Sequence, residues 1–244
     1  MLKVAAAQIK IEKNVEKNLN KILEYIKKAS VKKANIVCFP ETSLIHSKNK
    51  DTIKNTPIKQ YLEKIKKSCK DNKIHCIFGT NFFDKNKVYN SAFLIDDNGK
   101  IAYRYDKIKL FIKEKNKKKT ATGKANRVIK TKFGKMGIII CWDIAYPGYV
   151  KELAKKGAWI IFCPSYIKNY GRELESYLQI PYVRAFETSS YIVSCDSANK
   201  ECAQYSIICG PSKIYSKIKG REGIIFGELD KKKIDGVRKR YKLI

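Results

Sequence analysis

Three residues of different chemistry stand directly after short apolar runs in this chain. Glu41 follows IVCFP, Lys107 follows IAYRYD and Cys141 follows MGIII. In α/β sheets the carboxyl ends of strands meet at the crevice where ligands bind, so these three residues are expected to share one site. A thiol can act as a nucleophile, a carboxylate can act as its base, and an ammonium group can stabilise the charge that develops on oxygen. Together these groups could hydrolyse an acyl compound.

The residues after Cys141 favour a reactive thiol over a core cysteine. In isolation, a cysteine that follows apolar residues is more often part of the core. Residues 142–148 (WDIAYPG) predict a sharp turn from strand to helix. Such a turn can present a thiol to a pocket and leave backbone N–H groups unpaired beside it, where they can bind an oxyanion.

The chain offers few bases for that thiol, because it contains only two histidines. His75 alternates with apolar residues in a predicted strand, which is typical of a core histidine. His46 lies in a loop after Glu41, so a Cys–His pair stays open as an alternative. A carboxylate is the more economical base, and Lys107 would then supply positive charge for the tetrahedral intermediate. Taken alone, Glu41 and Lys107 would more often be surface residues, and their occurrence together with Cys141 is what indicates catalysis.

Alternating helices and strands predict the frame that holds these residues. The predicted strands cover residues 2–9, 35–39, 74–79, 88–95, 100–105, 127–131, 136–140, 158–163 and 191–195, with further short strands up to residue 229. The predicted helices cover residues 14–33 with Asn14 as the cap, 57–71, a segment after Pro147, 171–189 with a bend or interruption at Pro181, and a basic tail. Residues 96–99 (DDNG) indicate a hairpin, and residues 111–126 indicate a long lysine-rich loop. The pattern predicts a mixed α/β fold with a single domain over residues 1–244, since no linker or repeat divides the chain.

Composition restricts the class of protein further. The chain has 244 residues, 44% of them hydrophobic, and its 52 basic and 23 acidic side chains give a net charge of +29. That charge attracts polyanions, but the lysines are spread over nearly every segment, so nucleic-acid binding is the weaker alternative. No apolar run approaches the roughly 20 residues that span a bilayer, and the N-terminus does not read as a signal peptide. The eight cysteines form no C-x-x-C pair, which indicates a reducing cytoplasm without a disulfide framework or a metal site.

Several segments resemble the motif blocks of the nitrilase superfamily of carbon–nitrogen hydrolases. The three main blocks are residues 39–42 (FPET), 106–111 (DKIKLF) and 134–143 (GKMGIIICWD), in the order that the family has. Further segments that resemble the family are residues 163–165 (CPS), 184–188 (RAFET) and 222–230. The resemblance therefore covers essentially the whole chain.

The resemblance implies a four-layer αββα sandwich and no cofactor. It implies Glu41 as the general base, Lys107 as the group that stabilises the transition state, and Cys141 as the nucleophile. The backbone N–H of Trp142 would join Lys107 in an oxyanion hole. It also implies a homodimer, or a higher homo-oligomer, formed through helices near Cys141 and Glu187.

Many members of the family carry a second glutamate between the lysine and the cysteine. Glu114 is the only acidic residue between Lys107 and Asp143, so it is the sole candidate for that role, with a solvated loop as the equal alternative. The candidates for the walls of the substrate pocket are Trp142, Tyr146, Ser165 and Tyr166, with ordinary packing as the alternative. Residues 113–119 could form a basic lid, although a solvated loop is favoured. The departures from the family pattern are Asp106, Lys109, Ala145 and Gly148.

These observations predict a cysteine-dependent hydrolase of non-peptide carbon–nitrogen bonds. We expect an amidase that acts on a small molecule and releases ammonia or an amine through a thioester on Cys141. Hydrolysis of nitriles or N-carbamoyl amines is the nearest alternative. A catalytically silent family member that serves as a scaffold, and a basic nucleic-acid-binding protein, are the alternatives outside enzymes. No membrane partner is expected.

Overall fold

A computed structural model describes residues 1–47, 49–112, 114, 120–125, 127–169, 171 and 173–244. The strands in these ranges are β1 (Leu2–Gln8), β2 (Ile36–Cys38), β3 (His75–Asp84), β4 (Lys87–Ile95), β5 (Ile101–Asp106), β6 (Thr120–Ala121), β7 (Ile129–Thr131), β8 (Gly134–Ile138), β9 (Ile160–Pro164), β10 (Tyr191–Cys195), β11 (Tyr205–Cys209), β12 (Ile214–Lys219) and β13 (Gly223–Leu229). The helices are α1 (Val15–Val31), α2 (Lys50–Asn55), α3 (Ile58–Asp71), α4 (Pro147–Lys155), α5 (Leu174–Glu187) and α6 (Lys231–Tyr241). A 3₁₀ helix spans Cys141–Ala145.

The described strands form two sheets that mix parallel and antiparallel pairs. The first sheet has the order β13-β1-β2-β3-β4-β5, with β6 also paired to β4, and the second has the order β12-β11-β10-β9-β8-β7. Strands β1, β2 and β3 run parallel, as do β8, β9 and β10. Parallel neighbours need a crossover connection, which here contains α1, α3, α4 or α5. Short turns join the antiparallel pairs β3–β4, β4–β5 and β7–β8, and the β4–β5 turn is the hairpin predicted at residues 96–99, whereas β1 pairs antiparallel with β13 from the other end of the chain.

Side chains alternate between the two faces of each sheet and so define four layers. In β1, Val4 and Ala6 belong to the core between the two sheets, whereas Ala5 and Ala7 face the core beneath α1 and α3. In β9, Phe162 packs between the sheets, while the alternate residues join a third core with α4 and α5. This alternation follows from the two-residue period of a strand. The layers are therefore helix, sheet, sheet and helix, and the predicted αββα sandwich is confirmed.

Local sequence signals account for most of the elements. The Asn14 side chain accepts a hydrogen bond from the Lys17 N–H at 3.0 Å, which caps α1 as predicted. Leu19, Ile22 and Ile26 form its buried stripe. Helix α5 continues through Pro181, where the sequence predicted a bend or interruption. The short helix α2 was not predicted.

The predicted loop over residues 111–126 is only partly described. Residues 113, 115–119 and 126 lie outside the described residues, and so does most of the predicted lid over 113–119. Thr120 and Ala121 form β6, which pairs in parallel with Val88 and Tyr89 of β4. The loop prediction was therefore wrong at these two residues, because pairing with a distant strand leaves no periodic signal in two residues. No helix within the described ranges is long and apolar enough to cross a membrane.

Candidate active site

A cavity of about 790 Å³ opens at the carboxyl ends of strands from both sheets. Glu41, Lys107 and Cys141, which are far apart in the sequence, all line it. Glu41 follows β2 and Lys107 follows β5 in the first sheet, whereas Cys141 follows β8 in the second. The sandwich therefore brings the three predicted residues together across its central core.

Close backbone packing fixes the segment that carries Glu41. The Glu41 N–H donates to the Ser165 carbonyl at 3.1 Å, which ties this segment to the end of β9. Gly79 of β3 lies against the same segment, and a Cβ added there would stand 2.5 Å from the Thr42 nitrogen and 2.7 Å from the Glu41 Cα. Only glycine permits so close an approach of two backbones. The position of the carboxylate therefore depends on Gly79 as well as on β2.

The Lys107 ammonium is buried between two carboxylates. Its Nζ donates to Glu41 Oε1 at 2.8 Å and to Glu114 Oε2 at 2.7 Å, and the side chain is 2% exposed. Burial alone would lower the pKa of Lys107, but Glu41, the Cys141 sulfur and Glu114 outweigh it and raise the pKa well above its usual value. Lys107 is therefore a permanent cation that donates hydrogen bonds, and it cannot serve as a base.

Asn90 of β4 joins the two carboxylates and was not singled out from the sequence. Its Nδ2 donates to Glu41 Oε1 at 2.6 Å and to Glu114 Oε1 at 2.7 Å. Glu114 Oε2 also accepts the Phe111 N–H at 3.0 Å. Burial opposes ionisation of Glu114, but Lys107, Asn90 and this N–H together hold its pKa below the usual value. The one available signal was a polar pair, Asn90-Ser91, inside an otherwise apolar strand.

Among the described residues, donors reach only one of the two Glu41 carboxylate oxygens. Lys107 and Asn90 both donate to Oε1, and the described residues provide no hydrogen bond to Oε2. The sequence-predicted base therefore has one oxygen that is held in place and one that can take part in proton transfer. Glu114 differs, because both of its oxygens accept hydrogen bonds.

Cys141 occupies a strained turn at the end of β8. Its φ is +46°, in the left-handed region that residues other than glycine rarely adopt, and the 3₁₀ helix begins at this residue. Burial and the nearby Glu41 raise the pKa of the thiol well above its usual value, while Lys107 and the Tyr166 N–H oppose that rise. The thiol is therefore protonated at neutral pH, and it becomes a nucleophile only if a neighbouring base removes the proton.

Asp143 holds the turn after Cys141 and the segment after Lys107 together. Its Oδ2 accepts the Ile140 N–H and the Tyr105 hydroxyl, each at 2.8 Å, and its Oδ1 accepts the Lys109 N–H at 2.8 Å. Burial raises the pKa of Asp143 to about 6, against the opposing effect of Lys107 and of these donors. Asp143 therefore connects the two sheets just beneath the site.

Aromatic side chains form much of the cavity wall. Trp142 stacks on Tyr177 with ring centroids 5.8 Å apart, and Phe111 meets Trp142 edge-on at 5.2 Å. The Tyr177 hydroxyl donates to the Cys141 carbonyl at 3.2 Å. The Trp142 N–H has no hydrogen-bond acceptor among the described residues. Trp142 and Tyr166 both line the cavity.

Two of the predicted wall residues lie elsewhere. Tyr146 is 40% exposed and lines a separate surface depression beside Lys109, because it follows the end of the 3₁₀ helix that begins at Cys141 and does not share the face of Cys141. Ser165 is buried beside β10, and its hydroxyl donates to the Cys163 carbonyl at 3.0 Å. The predictions that these two side chains line the pocket were wrong. Ser165 contributes through its backbone, which accepts the Glu41 N–H.

The two histidines differ in position. His46 lines the cavity, where its Nδ1 lies 2.7 Å from Thr42 Oγ1 and its ring stacks on Tyr166 at 4.6 Å. His75 is 5% exposed, and burial lowers its pKa, which is the behaviour of a core histidine. The described ranges contain no group of three or more His, Cys, Asp or Glu side chains that could hold a metal ion.

Comparison with known proteins gives the same family throughout. The family model for carbon–nitrogen hydrolases matches residues 3–239. The probable hydrolase nit2 of Schizosaccharomyces pombe is 30% identical over 265 aligned residues, covering 98% of this chain and 95% of that protein. The omega-amidase NIT3 of Saccharomyces cerevisiae is 28% identical over 170 residues, covering 64% of this chain and 58% of that protein.

Solved structures share the fold. The crystal structure of Saccharomyces cerevisiae Nit3, a member of branch 10 of the nitrilase superfamily, superposes with a TM-score of 0.87 at 23% identity, covering 98% of this chain and 94% of that one. A carbon–nitrogen hydrolase from Helicobacter pylori superposes with a TM-score of 0.90 at 19% identity, covering 99% and 94% of the two chains. From the match of the family model over nearly the whole chain and the 30% identical relative, we conclude that this chain belongs to the carbon–nitrogen hydrolase family.

Proposed function

We propose that the protein is an amidase that forms a thioester on Cys141, with Glu41 as the general base and Lys107 as the stabiliser of the oxyanion. The observation that carries the proposal is that these three side chains line one cavity, with Lys107 Nζ 2.8 Å from Glu41 Oε1. The omega-amidase of Saccharomyces cerevisiae supports amides as the substrate class.

The first half of the reaction acylates the enzyme. Glu41 Oε2 takes the thiol proton as the sulfur attacks the carbonyl carbon, and the electron pair of the C=O bond moves to oxygen. Lys107 Nζ and the Trp142 N–H donate hydrogen bonds to that oxyanion. Protonated Glu41 then gives its proton to the amide nitrogen, the C–N bond breaks, and ammonia or an amine departs from the thioester.

The second half of the reaction restores the enzyme. Glu41 takes a proton from water as the water oxygen attacks the thioester carbon. Collapse of the second tetrahedral intermediate breaks the C–S bond and releases the carboxylic acid, and Glu41 returns the proton to the sulfur. The sum is one amide and one water converted to one acid and one amine. The raised pKa of the Cys141 thiol supports coupling of attack to proton removal.

The test is ammonia release from a panel of ω-amides, aliphatic amides, N-carbamoyl amines and nitriles. Cys141→Ala and Glu41→Gln should each abolish release from the best substrate while the thermal unfolding temperature stays near the wild-type value. His46→Ala separates the alternative in which a histidine is the base, because it should retain activity if Glu41 is the base. Wild-type release by both variants of Cys141 and Glu41 would refute the proposal.

We also propose that two copies associate through the surface formed by α4 and α5. Tyr146, Val183 and Phe186 expose 40%, 45% and 51% of their area on this surface. Large apolar side chains exposed together are typical of a protein–protein contact. Sedimentation equilibrium should give a dimer for the wild type and a monomer for Phe186→Glu, and a wild-type monomer would contradict this assignment.

A further inference from the structure

Helix α6 and the residue after it present a strongly basic surface. Residues 231–242 contain one exposed acidic side chain, Asp235, and six exposed basic side chains, which are Lys231, Lys232, Lys233, Lys239, Arg240 and Lys242. The Asp235 carboxylate pairs with Lys231 at 2.8 Å. The other five basic side chains belong to none of the described ion pairs, so their charges remain available to a partner.

Buried contacts hold α6 at the end of the sandwich opposite the active-site cavity. Ile234 is 1% exposed and belongs to the core between the sheets. Arg238 Nε donates to the Ser189 carbonyl at 3.0 Å, and its Nη2 donates to the Ser190 hydroxyl at 2.9 Å. These two serines directly precede β10, whereas the cavity opens at the carboxyl ends of the strands. A strand of five residues such as β10 spans about 16 Å, so a ligand on α6 leaves the cavity open.

Turns from distant parts of the chain extend this basic surface. A Cβ added to Gly134, in the turn between β7 and β8, would stand 3.8 Å from Lys231 Cδ, so that turn adjoins α6. The next residue, Lys135, is exposed, and its Nζ donates to the Lys156 carbonyl at 3.2 Å. This contact brings the end of α4, with the exposed Lys155, to the same place. The fold therefore gathers lysines that are scattered in the sequence.

We call this region the α6 surface and define it by its exposed basic residues that belong to none of the described ion pairs. They are Lys135, Lys155, Lys232, Lys233, Lys239, Arg240 and Lys242.

The exposed side of α6 is charged without being apolar. Among the large hydrophobic side chains that the described residues expose, only Tyr241 belongs to α6. A helix that binds a lipid surface needs an apolar face to enter the bilayer interface. Helix α6 packs Ile234 against the protein core instead, so it lacks the part that would enter a membrane.

The spacing along α6 suits a row of phosphates. Lys232 and Lys239 are seven residues apart, and so are Lys233 and Arg240. Seven residues make two helical turns, which places the members of each pair on one face about 10.5 Å apart along the axis. Double-stranded nucleic acid carries one negative charge per roughly 1.7 Å of its length, so a duplex laid along the helix presents several phosphates to these side chains.

We propose that the α6 surface binds the phosphate backbone of double-stranded nucleic acid, as a function separate from amide hydrolysis. The net charge of +29 attracts polyanions to the whole molecule, and the α6 surface supplies the fixed row of cations that holds one in place. Contacts to phosphates position a protein on a duplex without reading its bases. Binding is therefore independent of base sequence.

Fluorescence anisotropy with a labelled DNA duplex, and with an RNA duplex of the same sequence, tests the proposal. For four to five phosphate contacts, the logarithm of the association constant falls against the logarithm of the salt concentration with a slope of about −4, or about 250-fold between about 50 and 200 mM NaCl. The combined variant Lys232→Gln/Lys239→Gln/Arg240→Gln should bind at least tenfold more weakly at the lower salt, with a slope of about −1. The duplex that binds more tightly identifies the nucleic acid.

Lys17→Gln/Lys27→Gln/Lys59→Gln is the matched control. These three lysines are exposed, belong to none of the described ion pairs and lie on α1 and α3, in the opposite helical layer. The control makes the same change in net charge, and its affinity and slope should stay near the wild-type values. Equal losses in both combined variants would mean that net charge alone attracts the duplex and would overturn the proposal. So would a wild type that binds neither duplex at the lower salt.

Two further variants keep the outcome interpretable. Lys239→Gln alone, which serves if the combined variant does not fold, should reduce the steepness of the salt dependence by about one, and an unchanged slope would overturn the proposal. Cys141→Ala should bind the duplex as the wild type does, so this proposal and the amidase proposal stand or fall separately. Cosedimentation with phosphatidylcholine–phosphatidylserine vesicles should show no binding, and binding to vesicles in place of both duplexes would assign the surface to membranes and refute the inference.

Discussion

Neutralising Glu114 tests whether the buried cluster around Lys107 positions the catalytic groups. Three donors face the Glu114 carboxylate, namely Lys107 Nζ at 2.7 Å, Asn90 Nδ2 at 2.7 Å and the Phe111 N–H at 3.0 Å. Glu114→Gln keeps the shape of the side chain but offers one oxygen and one NH₂ group. If the oxygen faces Lys107 and Phe111, the NH₂ group meets the Asn90 donor. If Asn90 turns over, its oxygen meets the Glu41 carboxylate instead.

Either arrangement removes a charge-assisted hydrogen bond and leaves a buried polar group unpaired, which costs about 2–4 kcal/mol. If the same 2–4 kcal/mol is added to the activation free energy, kcat/KM falls by about 30- to 900-fold. The assay is kcat/KM on the best amide, measured beside the thermal unfolding temperature. Glu41→Gln, by contrast, should leave no turnover, because it removes the proposed base.

Glu173→Gln is the matched control for Glu114→Gln. Glu173 lines the same cavity, but it is exposed and belongs to none of the described ion pairs. The control should stay within about twofold of the wild type, as is usual for an exposed charge. A Glu114→Gln enzyme within threefold of the wild type would refute the positioning argument, and equal losses in both variants would indicate a general effect of charge in the cavity.

Three further predictions concern the frame and the thiol. Gly79→Ala should lower kcat/KM and the free energy of unfolding, because the added Cβ would stand 2.5 Å from a backbone nitrogen beside Glu41. In the control Gly148→Ala, the added Cβ would meet no atom within 4 Å, so neither quantity should fall. Asp143→Asn should cost about 2–4 kcal/mol in urea unfolding, because an amide cannot accept three donors. Because burial raises the pKa of Asp143 to about 6, this residue stabilises the fold fully only below about pH 4. The difference in free energy of unfolding between the wild type and Asp143→Asn should therefore become smaller from about pH 4 to pH 6. A difference that grows over this range would contradict the sign of the effect. Glu41→Gln removes the proposed base and also a negative charge that raises the pKa of the Cys141 thiol. If base assistance is the larger effect, iodoacetamide alkylates Cys141 more slowly in Glu41→Gln than in the wild type at pH 7; an unchanged or faster rate would mean that Glu41 does not assist loss of the thiol proton.

The sequence predicted the residues whose positions depend on local signals. Glu41 and Cys141 each follow an apolar strand, and a strand carries its last residue to the edge of the sheet whatever its neighbours are. Asn90 could not be predicted in the same way, because its contact with Glu41 depends on how β4 pairs with distant strands. The wall residues depend on rotation about a single turn, which is why Trp142 lines the cavity and Tyr146, four residues later, does not.

Trapping the covalent intermediate tests the central claim most directly. The wild-type enzyme is mixed with its best amide, quenched in acid within a turnover and analysed by intact-protein and peptide mass spectrometry. We predict an increase equal to the mass of the acyl group, located on the peptide that contains Cys141 and absent from Cys141→Ala. Turnover with no acyl group on any cysteine, or with the acyl group on a residue other than Cys141, would contradict the account.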